Sequence, residues 1–398
     1  MKYTGNIHLA YCTNIHRGEN WETTFRSLKD YTLAVRKRVC PVDQPYAIGL
    51  RLSELAAREL SVPACLHAFK DWLRVHNCYV FTINGFPYGD FHAVRVKEQV
   101  YAPDWTTPQR LAYTKLLFTI LAELVPEGVA GSVSTVPGSF KAFISDPAQV
   151  DQMLDHLLDC ADFLAELSAQ HGTRFHLGLE PEPFGYLENT AEVVAFFERL
   201  KARAKHSEHV SRHIGVNYDT CHLAIQYEHP MESLQQLQSH GILLSKLHLS
   251  AALKVVPTPE ARAELNKYLD PVYLHQVVAL KADGDTTERV ADLDEALKWD
   301  ETVVAAHQEW RVHFHVPLQT APGFGMDTTV DHLIGTLDYL AQHPSCCEHL
   351  EIETYTWEVL PPELKANSVV EQIVAEYQWT TAALEQRALS ACGDSTRT

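Results

Sequence analysis

Short apolar runs and amphipathic stretches alternate along most of this chain. Strand-like runs are predicted at 6–14, 46–52, 77–84, 128–136, 174–181, 213–219, 243–250 and 349–356. Helix-like stretches are predicted between them, at 21–38, 53–75, 107–125, 147–170, 190–206, 230–240 and 328–343. Two helix starts are marked by an oxygen-bearing residue before a proline, Thr107-Pro108 and Asp146-Pro147. The helix over 147–170 repeats apolar residues at Val150, Met153, Leu157, Cys160 and Leu164, and ends at His171-Gly172. A repeat of about 40 residues per strand-and-helix unit implies a parallel sheet with covering helices. Eight such units suit a closed (β/α)8 TIM barrel, with an open doubly wound sheet as the alternative α/β architecture.

One region breaks the rhythm. Some 100 residues separate His248 from His349. They contain two further strand-like runs, Val272–Leu280 and Trp310–Leu318, and charged helical segments near 258–268 and 292–308. The expected organisation is one barrel domain over 1–361, with 254–345 forming an elaborated insertion after strand seven and the last βα region. A C-terminal helix over 362–390 packs on the barrel, and a disordered tail follows over 391–398. The insertion is expected to form a lid or wall over the site.

Four of the strand-like runs end in metal-ligand residues. They are Phe175–Pro181 with Glu180, Val216–His222 with Asp219 and His222, Lys246–Leu249 with His248, and His349–Thr354 with Glu351 and Glu353. Residues two apart on a strand face one way, so His176, Gly178 and Glu180 share a face, and so do Glu351 and Glu353. A carboxylate at the inner end of an apolar strand is costly to bury unless it is paired or ligates a cation. Strand ends that recur with such groups are how a barrel builds a site at its C-terminal rim. Carboxylates mixed with imidazoles suit Zn²⁺, Mn²⁺ or Fe²⁺ better than Ca²⁺. His313 and His315 face one way if 312–318 is a strand, and would complete a second metal position or bind substrate. The N-terminal strands add His8, Arg51, Asn84 and His92 as candidate substrate-binding residues, with Arg51 suited to a carboxylate or phosphate.

Composition narrows the picture. The chain has 398 residues, 46% hydrophobic and 21% charged, and a net charge of −18 with histidine neutral. That acidity argues against nucleic acid or an anionic membrane as partner. Nine cysteines, with no Cys-x-x-Cys, suggest a reducing, cytoplasmic setting. No apolar run is long enough for a transmembrane helix, and the first residues lack a signal-peptide core. Glycine-rich nucleotide loops and the Gly-x-Ser-x-Gly elbow do not occur.

The strings Leu179-Glu180-Pro181, Asp219-Thr220-Cys221-His222, His248 and Ile352-Glu353-Thr354 resemble the metal-binding strand ends of the xylose-isomerase-like TIM barrels. That superfamily holds sugar isomerases, ketose 3-epimerases and the endonuclease IV family. Tyr11–His16, Phe81–Tyr88 and Glu353–Trp357 resemble more closely the EboE metabolite-traffic family within it, over about residues 7–361. The resemblance implies a divalent cation, with Zn²⁺ or Mn²⁺ favoured, held by Glu180, Asp219, His248 and Glu353. His222 would bind substrate or a second metal, and His313 with His315 would form an extra ligand pair. Three functions follow from it. The first is isomerisation or epimerisation of a small polyol or carbonyl metabolite, with Glu180 and Glu353 as catalytic proton carriers. The second is metabolite binding or traffic without catalysis. The third is multi-zinc phosphodiester hydrolysis.

Overall fold

The computed structural model describes residues 1–89 and 97–392. Among them are fourteen strands in two sheets. The first sheet contains β1 (Lys2–Tyr3), β2 (Ile7–Tyr11), β3 (Tyr46–Arg51), β4 (Cys78–Asn84), β5 (Gly131–Thr135), β6 (Phe175–Leu179), β7 (Ile214–Asp219) and β8 (Leu243–Leu249). The second contains β9 (Leu253–Val255), β10 (Val277–Lys281), β11 (Thr287–Val290), β12 (His307–Val312) and β13 (Met326–Thr328). The chain then returns to the first sheet with β14 (His349–Ile352).

The first sheet runs β1-β2-β14-β8-β7-β6-β5-β4-β3. All neighbours from β2 to β3 are parallel, and only the short β1 is antiparallel to β2. A parallel bridge between Cys12 and Gly49 joins the two ends, β2 and β3. Eight parallel strands thus come round into the expected α/β barrel. The short second sheet, in order β11-β10-β12-β9-β13, is wholly antiparallel and lies in the chain between β8 and β14.

The covering helices begin where local chemistry directs. Asp146 accepts from the Ala148 amide, Gln149 reaches back to the Asp146 amide, and Pro147 fills the first position of helix Pro147–His171. Gly172 ends that helix at φ 63°, in the left-handed region glycine tolerates. Two expected helices are divided. Pro63 lacks an amide hydrogen and holds Val62 extended, so 53–75 becomes Glu54–Leu60 and Pro63–Val75. The stretch 21–38 contains a π turn at Leu28–Thr32 between two α segments. No helix of the described residues is long and apolar enough to cross a membrane.

The C-terminal helix Val369–Glu385 buries Ile373, Val374 and Tyr377, and its Tyr377 hydroxyl lies 3.0 Å from that of Tyr46 in β3. Ala391 and Cys392, in the expected tail, pair with Tyr3 and Lys2, and the remainder of that tail lies outside the described residues. The same helix carries Glu376, fully buried against Thr354 at the end of β14. Burial lifts its carboxyl to about 7, with hydrogen bonds from Thr354 and the Leu318 amide pulling partly back. The unfolded chain therefore releases this proton first as pH rises, so the contribution of Glu376 to stability is largest below the ordinary carboxylate range and declines up to about pH 7. Glu376→Gln is expected to flatten that decline, worth roughly 3 kcal/mol between pH 4.5 and 7. Urea unfolding across that range measures it, and an unchanged slope in the variant would sink the assignment.

The barrel interior is unusually polar and is layered. Nearest the N-terminal ends of the strands, His8, His176 and His349 each place Nδ1 2.7 Å from a hydroxyl, of Tyr79, Ser245 and Ser132 respectively. Burial keeps all three imidazoles neutral, with His8 pushed down to about 3. Above them Lys246 Nζ donates to Glu351 Oε2 at 2.6 Å, both side chains wholly buried. Gly49 makes room for this carboxylate. A Cβ at 49 would overlap Glu351 Oε1 and come within 2.7 Å of the Tyr11 carbonyl.

Candidate metal centre

The next layer up is the C-terminal rim. Glu180 directly follows β6, Asp219 ends β7, His248 is the penultimate residue of β8, and Glu353 directly follows β14. One ligand atom from each of these four residues lies within 4.8 Å of the other three. All four are buried, none more than 5% exposed. His248 Nδ1 is the hub, 3.2 Å from Glu180 Oε1, 3.5 Å from Asp219 Oδ2 and 3.4 Å from Glu353 Oε2. Its Nε2 points down the barrel to Glu351 Oε2 at 2.9 Å.

Each carboxylate is steered by a neighbour. Asn217, two residues before Asp219 on β7, donates to Glu180 Oε2 at 2.8 Å. Asn14 and Asn84 donate to Glu353 Oε1 at 2.8 and 3.4 Å. Asp219 uses Oδ1 to accept from the Cys221 and His222 amides and from Ser250, while Oδ2 is buried with no hydrogen-bond partner. Burial pulls the Asp219 carboxyl upward, yet the imidazoles of His222, His248 and His315 outweigh it and hold it well below the usual range. Burial pulls His248 downward, and Glu353 and Glu180 reverse the sign and raise it well above ordinary histidine. Three carboxylates around one imidazole, excluded from water, make a strongly negative pocket that a divalent cation would neutralise. The donor set and the orphaned Asp219 oxygen therefore fit such an ion.

Beside this cluster stand three more imidazoles. His313 Nε2 is 3.1 Å from His222 Nε2 and 3.2 Å from His315 Nε2. Their Nδ1 atoms are held by oxygens: His222 by the Pro181 carbonyl at 3.1 Å, His313 by Gln276 Oε1 at 2.7 Å, and His315 by the Glu353 carbonyl at 2.9 Å. A carbonyl oxygen can only accept, so each of these rings donates from Nδ1 and turns an Nε2 lone pair toward the others. Asp219 groups with His222 and His315, and Glu182 with His222 and His313, at ligand-forming separations. Burial and the two neighbouring imidazoles push His313 well below ordinary histidine.

A cavity opens over both clusters. Glu180, Glu353, His222 and His313 form part of its polar lining with Asn14, Asn84 and Glu182, while Phe86, Tyr101, Tyr273 and Tyr355 supply aromatic surface. Tyr273 belongs to the segment before β10 and His313 to the segment after β12, so the region between β8 and β14 forms part of the wall. Glu182 was not anticipated. Burial raises its carboxyl well above the usual range, and its Oε2 has no hydrogen-bond partner.

The expected N-terminal contributors divide. Asn84 ends β4 and reaches the rim. His8 does not, because it is the second residue of β2 and pairs in register with His349, the first of β14, in the bottom layer. Arg51 is buried and directs its guanidinium to the carbonyls of Gly18 and Gly89, at 2.8 and 2.6 Å, bracing loops outside the cavity lining. His92 lies outside the described residues. β12 ends at Val312, short of the strand over 312–318 expected to carry His313 and His315. The irregular run beyond it keeps the alternation, with Phe314 turned away onto Tyr268 and His275.

No protein-family model matches this chain, and no curated protein matches its sequence. Solved structures do match in fold. A xylose isomerase domain protein from Planctomyces limnophilus superposes with a TM-score of 0.50 at 14% identity, covering 89% of this chain and 93% of that one. A xylose isomerase domain protein from Alicyclobacillus acidocaldarius subsp. acidocaldarius gives a TM-score of 0.50 at 11% identity, covering 96% and 99%. At such identities the likeness bears on fold alone, and the fold is an α/β TIM barrel.

Proposed function

We propose that this protein is a divalent-metal-dependent isomerase or epimerase acting on a small polyol or carbonyl compound by proton transfer. The observation that carries the reading is the convergence of Glu180, Asp219, His248 and Glu353 at one buried point beneath the cavity. These four residues would hold the cation, with Zn²⁺ or Mn²⁺ suited to the donor set. When bound, it would polarise a substrate carbonyl and favour negative charge on its oxygen. Glu180 and Glu353 both line the cavity and are both neighbours of His248. One carboxylate lifts the proton from the carbon next to the carbonyl. Delivery of a proton by the other carboxylate to the opposite face of that carbon gives epimerisation; delivery to the former carbonyl carbon, with the hydroxyl proton of the neighbouring carbon passing to the former carbonyl oxygen, gives isomerisation. The asparagines on each carboxylate hold these groups in place, and the aromatic walls exclude water from the exchange.

His222, His313 and His315 support a second cation position that shares Asp219. Imidazole nitrogens about 2.0–2.1 Å from a tetrahedral zinc lie about 3.3 Å apart, close to the two Nε2 separations on either side of His313. The resemblance to the EboE metabolite-traffic family supports a small metabolite as the ligand. A polyanionic phosphodiester suits the cavity less well. Three carboxylates, Glu180, Glu182 and Glu353, line it, and among the described residues its one lysine, Lys97, is already paired with Asp292.

Metal analysis of the purified protein, followed by proton–deuterium exchange into a panel of ketoses, tests the reading. Bound Zn²⁺ or Mn²⁺, with exchange that disappears in Glu180→Gln and Glu353→Gln, is the expected result. Exchange that survives both substitutions would remove the proton-carrier roles. Metal binding with no exchange into any ketose would leave a ligand-holding protein in place of an enzyme.

A further inference from the structure

Beneath His248, two side chains continue the line down the barrel and take no part in the proton-transfer reading, Lys246 and Glu351. Lys246 and His248 share the inner face of β8, and Glu351 and Glu353 share the inner face of β14. The two strands are paired in register, with Glu351 opposite His248. Glu351 Oε2 takes two hydrogen bonds, from Lys246 Nζ at 2.6 Å and from His248 Nε2 at 2.9 Å. Lys246 is anchored in turn on Ser134 Oγ at 3.1 Å. The carboxylate cannot swing away on the β3 side, because that strand approaches so closely that only glycine fits at position 49.

An ionised carboxylate accepts hydrogen bonds and donates none. With Nε2 committed to Glu351 at 2.9 Å, Nδ1 is the nitrogen left to exchange its hydrogen for a cation held among Glu180, Asp219 and Glu353. We infer that the buried Lys246–Glu351 pair is a positioning device that fixes the ring and tautomer of His248, so that Nδ1 is the nitrogen offered to a cation. This rests on the metal reading above and adds to it two residues that touch neither cation nor substrate. Lys246 has a definite part. Its Nζ holds Glu351 Oε2 at 2.6 Å and is itself held on Ser134 Oγ, so the acceptor facing His248 Nε2 is fixed in place.

Two charge-balanced double variants separate positioning from packing. Lys246→Met with Glu351→Gln keeps an amide oxygen opposite His248 Nε2. Lys246→Met with Glu351→Leu removes the acceptor at similar volume. With Co²⁺ alone as the probe, the glutamine double is expected to bind near wild-type affinity. The leucine double is expected to bind about 10–100-fold more weakly, the usual cost of losing a partner that orients a metal-ligating histidine, and to give a changed visible spectrum. Equal affinity in both doubles, whether high or low, would overturn the inference. A wild-type protein that binds no Co²⁺ would overturn the metal reading itself. Folding of the variants is not needed for the second arm. In ¹⁵N-histidine-labelled wild-type protein loaded with Zn²⁺, the His248 hydrogen is expected on Nε2, and finding it on Nδ1 would be decisive against the proposal.

Discussion

Asp219→Asn is expected to leave the barrel folded while lowering affinity for Zn²⁺ or Mn²⁺ by more than about 100-fold. The two oxygens of Asp219 have separate tasks. Oδ1 accepts from the Cys221 amide at 2.8 Å, the His222 amide at 3.1 Å and Ser250 Oγ at 2.6 Å, which starts helix Thr220–Ile225. Oδ2 is buried without a partner, 3.5 Å from His248 Nδ1. Asparagine retains an oxygen for the first task, and with it a cap worth about 0.5–2 kcal/mol. In place of Oδ2 it presents an N–H group, which no cation accepts as a ligand. Loss of a residue that merely supports a ligand costs about 10–100-fold, so loss of a ligand at the junction of two clusters should cost more. In chelator the variant is expected to melt lower than wild type while still unfolding cooperatively, since His222, His248 and His315 lose an ionised partner. Metal titration together with melting in chelator gives both results, and wild-type affinity in the variant would remove Asp219 from the cation site.

Lys246→Met alone is expected to destabilise the protein by about 3–5 kcal/mol at neutral pH, the cost of breaking a buried ion pair and stranding its partner. Both members are wholly buried, and Glu351 Oε1 has no protein hydrogen-bond partner, so the carboxylate left behind keeps only His248 to offset its burial. The pH dependence carries the sign. Burial favours protonated Glu351, but Lys246 and His248 outweigh it and hold the carboxyl down to about 2. The stability this provides is present above the ordinary carboxylate range, near 4.3, and is lost as pH falls toward 2. With Lys246 gone, Glu351 takes up its proton at higher pH, so the gap between variant and wild type is widest near pH 7 and narrows in acid. Urea unfolding at pH 7 and pH 4 shows it. A gap that stays constant across that interval would mean that methionine is damaging by shape.

What could be read directly from the sequence was periodicity and the chemistry of strand ends. The eight barrel strands lie within the runs marked by their apolar pattern, and Glu180, Asp219, His248 and Glu353 meet because a parallel barrel brings successive C-terminal ends to one rim. Alternation says which face a residue occupies and is silent on depth. That is why His8 was expected at the rim and lies in the bottom layer. It is also why Lys246 did not stand out from inward-facing polar residues in general, and why Glu351 was marked with Glu353 as a ligand-type residue although it lies one step below the rim. Glu182 sits just past a strand end with prolines on both sides, where no repeat marks it. Strands β9, β11 and β13 are three or four residues long, too short for any period to emerge, and hydrogen bonding to their neighbours defines them.

Part of the cavity wall adjoins the second sheet, whereas the floor belongs to the barrel. His313 and His315 hang from the end of β12, whereas Asp219 and His222 stand at the end of β7. A ligand gripped by both sets is therefore a rivet, since it exists as a bound species only while the two sheets are docked. Its binding free energy then adds to the docking free energy, by about 2.7 kcal/mol when its free concentration is a hundred times its dissociation constant. Occupancy and assembly thus become one equilibrium. Depleting the ligand loosens the join between barrel and second sheet before it affects either sheet alone.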